Sequence, residues 1–109
     1  MIISGGANIY PAEIENVLIL HPKVADCCVF GIPNSDWGEE IKAVVQPVTG
    51  VHTDEGLTRE LISFSADRLA KMKLPRCFDY MKELPRDPNG KLYKRRLRDP
   101  YWEKENRQL

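Results

Sequence analysis

The residues best placed to do chemistry are Lys91 and the basic run that follows it. Pro85-Arg-Asp-Pro-Asn-Gly-Lys91 leads directly into Leu92-Tyr-Lys-Arg-Arg-Leu-Arg98. Asn89 and Gly90 after Pro88 predict a sharp turn, because glycine takes positive φ at low steric cost. That turn fixes where Lys91 begins. A lysine held this way is a point charge with three donors, suited to a phosphate or a carboxylate. An isolated Asn-Gly-Lys would be an ordinary solvated turn, and Lys94, Arg95, Arg96 and Arg98 alone an exposed helix face. Two prolines and a glycine restraining one loop that feeds a basic helix favour the chemical reading. A second stretch, Ser4-Gly5-Gly6, offers backbone without side chains that another molecule can approach closely. Its plain alternative is a strand-to-helix turn.

Other polar residues carry less. Neither His21 nor His52 has a carboxylate, serine or cysteine at a telling distance, so neither is assigned a catalytic role. Glu13 and Glu15 follow Pro11 and suit the positive start of a helix. Asp36, Trp37, Gly38 and Glu39 read as a structured loop, with Trp37 a lid over apolar neighbours. The cysteines are Cys27, Cys28 and Cys77. An odd number, two of them adjacent, is neither a disulfide framework nor a zinc spacing, so no metal site is expected and a reducing, cytoplasmic location is. No apolar run reaches membrane-spanning length, and Met1-Ile-Ile-Ser-Gly-Gly is not a signal peptide.

The elements that must position these residues follow from pattern. A chain of 109 residues that is 42% hydrophobic and 29% charged reads as one globular domain. Its zero net charge is unevenly spread: residues 1–75 hold six basic and ten acidic side chains, residues 85–109 eight and four. That asymmetry predicts an anionic partner at the C-terminal end. Met1–Ser4 reads as a short strand broken by the glycines. A helix opens at Pro11, with Ile14, Val17 and Leu18 inward, and ends at His21-Pro22. Val24–Phe30 and Ile41–Gln46 are strands, separated by the polar stretch 34–40. Thr53 or Asp54 caps a helix with Leu57, Leu61, Ile62, Ser65 and Leu69 inward, ending before Pro75. Cys77–Leu84 is a third main strand, with Phe78 and Tyr80 on one side. Leu92–Arg98 is a final short helix stopped by Asp99-Pro100, leaving residues 101–109 as a tail free to fray. The order β-α-β-β-α-β-α predicts an α+β fold, a small mixed sheet covered by helices.

Taken together, three blocks resemble the C-terminal domain of the adenylate-forming superfamily: acyl-CoA synthetases, peptide-synthetase adenylation domains and luciferases. The first is Ile3-Ser-Gly-Gly-Ala-Asn-Ile-Tyr-Pro-Ala-Glu-Ile-Glu15. The second is Val29-Phe-Gly-Ile-Pro, Trp37-Gly-Glu and Ala43-Val-Val. The third is Leu84-Pro-Arg-Asp-Pro-Asn-Gly-Lys-Leu-Tyr-Lys-Arg-Arg-Leu-Arg98. Each block is moderately specific; their order and spacing over residues 1–102 are more so. The Ile-Tyr-Pro form of the first block and the tail through Trp102 look most like acyl-CoA synthetases of fatty or aryl acids.

The resemblance implies roles. Lys91 would be the adenylation lysine, placed between a carboxylate and the α-phosphorus of ATP. Gly5 and Gly6, with Ser4, would line the channel for the pantetheine arm of coenzyme A after the domain rotates. Asn8 and Arg95 would touch the nucleotide or coenzyme A, and Asn89 and Gly90 would set the loop's geometry. ATP, Mg2+ and the acid would be held by an N-terminal domain of the same polypeptide, absent from this sequence. The family's hinge residue would lie upstream of Ile2-Ile3. The partner strand of Met1–Ser4 is also expected to be missing, leaving the first hairpin unable to close and the chain inactive alone. A second hypothesis is a polyanion- or RNA-binding module. Its stacking aromatics are poorly placed, since Asp79 interrupts Phe78 and Tyr80, and no nucleic-acid partner is expected. A third is a scaffold domain that keeps the fold without the reaction.

Overall fold

A computed structural model describes residues 1–107, with side chains through residue 104. Its elements are β1 (Ile2–Ser4), β2 (Ala7–Ile9), α1 (Pro11–Leu18), β3 (Val24–Asn34), β4 (Gly38–Pro47), α2 (Glu55–Ala66), a 3-10 turn at Lys71–Lys73, β5 (Cys77–Tyr80) and α3 (Lys94–Arg107). The sheet runs β2-β1-β4-β3, with β5 beside β4. The β4–β5 pair is parallel and the others antiparallel, so the expected mixed sheet of an α+β fold is present.

The long β3–β4 hairpin is the bar on which everything else hangs. Its apolar residues alternate between two faces because successive strand side chains point oppositely. Cys27, Val29, Ile41, Ala43 and Val45 face α1 and α2, where Ile14, Leu18, Leu57 and Leu61 close over them. Cys28, Phe30, Ile32 and Val44 face the other way, against Leu84, Leu97 and Tyr101. Adjacent Cys27 and Cys28 therefore belong to different cores. Asp54 caps α2, its carboxylate accepting the Leu57 N–H at 3.0 Å.

Strand β3 is one edge of the sheet, and unpaired edge groups invite pairing with other chains. Here they are covered from within. Glu15 on α1 accepts the Val29 N–H at 2.9 Å, and the Trp102 indole donates to the Gly31 carbonyl at 2.9 Å. Glu15 thus serves as more than a helix-start acid. Glu39 leans across Gly31 to accept the Ile3 N–H at 2.8 Å, and a Cβ at Gly31 would collide with that carboxylate.

Four expectations need correction. The first hairpin does close within the chain: Ile2 pairs with Ile9, Ile3 with Asn8 and Ser4 with Ala7. Gly5 and Gly6, at φ +58° and +82°, form its two-residue turn, the type I′ conformation that matches strand twist. Secondly, the stretch 34–40 is mostly strand, since β3 runs to Asn34 and β4 begins at Gly38. Thirdly, β5 ends at Tyr80; Leu84 is buried without being in a strand, its N–H donating to the Gln46 side chain at 3.0 Å. Lastly, α3 begins at Lys94 and passes through Pro100 to Arg107, so the segment read as a frayed tail is helical through residue 107. Residues 108 and 109 lie outside the described residues. A proline inside a helix removes one hydrogen bond and crowds the carbonyl four residues back, costing about 3 kcal/mol. Anchors beyond Pro100 offset that cost: Trp102 on Gly31, Tyr101 tilted against Phe30 at 6.2 Å, and the Lys42 ammonium 4.8 Å from the Tyr101 ring centre.

Lys42 is a buried cation in this second core. Its ammonium lies 2.7 Å from Asp79. Burial disfavours its charge, but hydrogen bonding to Asp79 and Tyr101 prevails and holds its pKa above the usual lysine value. Burial, with the Glu15 and Asp26 carboxylates nearby, pushes the Cys27 thiol up to about 12. Burial pushes Cys28 up to about 11, with Lys94 opposing. Both are packing groups. Among the described residues no helix is long and apolar enough to cross a membrane.

Candidate functional site

The Lys91 loop is a closed ring of hydrogen bonds. The Asp87 carboxylate accepts the Asn89 and Lys91 N–H groups at 2.9 Å each. The Asp87 N–H donates to the Lys91 carbonyl at 2.8 Å, and the Gly90 N–H to the Asp87 carbonyl at 2.9 Å. Gly90 sits at φ +81°, which L residues resist, while Asn89 needs no unusual backbone. An Arg86–Leu92 bridge closes the base, and the Tyr93 N–H donates to the Pro85 carbonyl at 2.9 Å.

The Lys91 side chain projects from this fixed ring. It is exposed, and among the described residues no carboxylate lies within ion-pair distance of it. Helix α3 begins three residues later with no acid in its first turn, so its N-terminal dipole adds to the same positive field. Arg95 is exposed in that turn. Lys94 is occupied differently, paired with Glu15 at 3.1 Å.

The Gly5-Gly6 turn lies at the other end of the sheet. The Gly5 N–H donates to the Trp37 carbonyl at 3.0 Å, tying the first hairpin to the β3–β4 turn. Beside it opens a cavity of about 440 Å³, lined among others by Ser4, Gly5, Trp37, Lys71, Met72 and Arg76. The Arg76 guanidinium stacks 3.2 Å from the centre of the Trp37 indole. Trp37, expected as a lid over apolar neighbours, is instead partly exposed and forms one face of a cation-flanked hollow. A Cβ at Gly5 or Gly6 would meet nothing within 4 Å, so positive φ, not crowding, demands glycine there. Asn8 is not in the cavity. It pairs with Ile3 on the outward face of the hairpin, whereas Ser4 and Ala7 face the cavity side.

The two ends stand far apart. Arg86, at the base of the Lys91 loop, contacts Asp26, and Asn34 holds the Trp37 N–H at 2.9 Å beside Gly5. Those two residues are eight apart on β3, roughly 26 Å of strand at about 3.3 Å per residue, so the two contacts lie at opposite ends of the hairpin. Lys91, Asn89, Gly90 and Arg95 are gathered at one end, and Ser4, Gly5 and Gly6 at the other. Lys71, Met72, Arg76 and the Asp26–Arg86 pair escaped sequence reasoning, since each depends on contacts between distant segments. Among the described residues no three His, Cys, Asp or Glu side chains converge as a metal site built from protein side chains alone would need.

The family model for the AMP-binding enzyme C-terminal domain matches residues 13–91. The chain belongs to that family. This AMP-binding C-terminal domain is 43% identical over 101 residues to the fatty acid–[acyl-carrier-protein] ligase ScoC of Streptomyces coeruleorubidus, covering 93% of this chain and 19% of that protein. It is 45% identical over 98 residues to a feruloyl-CoA synthase of Amycolatopsis, covering 90% of this chain and 19% of that protein. Among solved structures, it resembles a fatty acyl CoA synthetase of Mycobacterium tuberculosis with a TM-score of 0.82 and 38% identity, over 95% of this chain and 20% of that one. The domain thus spans about a fifth of the length of the relatives it matches.

Proposed function

We propose that this domain is the mobile C-terminal part of an ATP-dependent acid–CoA ligase, serving its two half-reactions with its two ends. The observation that carries the proposal is an exposed Lys91 on a rigid loop, with no carboxylate partner among the described residues, at the end of the β3–β4 hairpin opposite the Gly5-Gly6 turn. In the first half-reaction a carboxylate oxygen attacks the α-phosphorus of ATP, giving acyl-adenylate and pyrophosphate. Two anions must meet. Lys91 offsets their repulsion and orients the attack, an interaction that strengthens as charge develops. In the second, the thiol of coenzyme A displaces AMP from the acyl-adenylate, giving the thioester. Gly5, Gly6 and Ser4 then line the approach of the pantetheine arm. The cavity beside them has apolar walls and cations at Lys71 and Arg76, a chemistry that suits an arm ending in phosphates.

One rigid domain cannot offer both ends to one centre in a single pose, so the reading requires it to turn as a body between steps. ATP, magnesium and the acid are held by the rest of the polypeptide. The relatives' names cover both coenzyme A and acyl-carrier-protein ligases, and the acid is a fatty or aryl one in this reading. The test uses the full-length protein, wild type beside Lys91→Ala. ATP–pyrophosphate exchange is followed over fatty, aryl and amino acids, then thioester formation from premade acyl-adenylate. Collapse of exchange with survival of thioester formation is expected. Normal exchange by the variant, or no exchange by wild type with any acid, would overturn the reading.

A further inference from the structure

We propose that Asp26 and Arg86 are positioning residues for adenylation, a clamp that fixes the Lys91 loop to the sheet; this rests on the reading of Lys91 above. The loop's own hydrogen bonds hold its shape but not its place. The Arg86 side chain spans from the loop's tip to the sheet. Arg86 Nη1 donates to the Gly90 carbonyl at 2.9 Å, the peptide group immediately before Lys91. Its Nη2 donates to Asp26 Oδ2 on β3, forming an ion pair across sixty residues of sequence. One planar guanidinium thus joins the turn to the bar, and its fixed fork sets an angle as well as a distance.

Asp26 is itself aimed. The β3–β4 register shifts between Val24 and Asp26, and a bulge of this kind redirects the side chain at the irregularity. The other Asp26 oxygen, Oδ1, accepts the Cys27 N–H at 2.9 Å, locking the carboxylate's rotation. The pair is not deeply buried, with side chains 47% and 23% exposed, so its worth to global stability is small. Its effect falls on where Lys91 starts. A misplacement of about 1 Å in a reacting group costs on the order of a hundredfold in rate.

The test is made in the full-length ligase with Asp26→Asn, Arg86→Met, the double variant, Asp26→Glu and Lys91→Ala. The clamp predicts that Asp26→Asn and Arg86→Met each slow ATP–pyrophosphate exchange by about tenfold to a hundredfold in kcat. It predicts that the double variant is no slower than the slower single one, and that Asp26→Glu recovers most of the rate. Thioester formation from premade acyl-adenylate should stay at the wild-type rate, which also shows that the domain is folded. Wild-type exchange in Asp26→Asn and Arg86→Met overturns the clamp, as does a parallel fall in both half-reactions. If Lys91→Ala itself exchanges normally, the reading of Lys91 fails, a result distinct from failure of the clamp alone.

Discussion

The domain carries two glycine-containing turns at opposite ends of one hairpin, and they are built by different means. The Lys91 turn adds side-chain bonds to its backbone ones: Asp87 collects two backbone N–H groups, and Arg86 ties Gly90 to Asp26. The Gly5-Gly6 turn is held by backbone, through strand pairing and the Gly5–Trp37 hydrogen bond. The difference fits the proposed tasks. A lysine acting on a transition state must be fixed in three dimensions, which takes directional bonds from several sides. A wall along which a thiol arm slides must offer a smooth surface, which side chains would spoil.

The largest expected effect comes from removing the charge at one end. Lys91→Ala should slow ATP–pyrophosphate exchange in the full-length protein by roughly 10²–10³-fold, about 3–4 kcal/mol, the scale of losing one preorganised electrostatic group. Next comes the bar between the ends. Phe30→Ala empties the core under α3 and should cost about 3–5 kcal/mol in chemical denaturation. Both half-reactions should then be lost together on warming. Gly90→Ala and Gly6→Ala impose the same backbone strain at φ +81° and +82°, about 1–2 kcal/mol each. Equal stability losses with opposite half-reaction defects would sharpen the contrast; identical kinetic defects would break it.

The smallest effect concerns pH. Cys27 and Cys28 titrate near 12 and 11 when folded, above the ordinary thiol value of about 8.5. The unfolded chain therefore loses these protons first, and their contribution to stability is complete below about pH 8.5 and falls as pH rises through 11 and 12. Denaturation midpoints should decline across that window. At neutral pH a thiol reagent should reach half-buried Cys77 first and the other two only on unfolding.

Much of this was legible in the chain. Alternation in Val24–Phe30 and Ile41–Gln46 marked the central strands, and the spacing of Leu57 and Leu61 marked α2's buried face. The Lys91 turn was visible because Pro88, Asn89 and Gly90 are local signals. The first hairpin was misread although Gly-Gly between short alternating segments is itself a hairpin signal, because three-residue strands are too short to show a period. Pro100 misled for a different reason: its local preference is outweighed by Trp102 and Tyr101 reaching the sheet. The Asp26–Arg86 clamp and the Trp37–Arg76 stack join segments far apart in sequence, and no local pattern announces such contacts.

The alternating use of the two ends is tested most directly by Gly5→Asn in the full-length protein, measured beside Lys91→Ala in both half-reactions. Asparagine tolerates positive φ and gives an Asn-Gly pair favoured in type I′ turns, so the hairpin should keep its stability while gaining a side chain at the cavity's edge. The account predicts normal ATP–pyrophosphate exchange and slowed thioester formation for Gly5→Asn, the mirror of Lys91→Ala. Wild-type thioester formation by Gly5→Asn, or loss of exchange alongside it, would contradict the division of labour between the two ends.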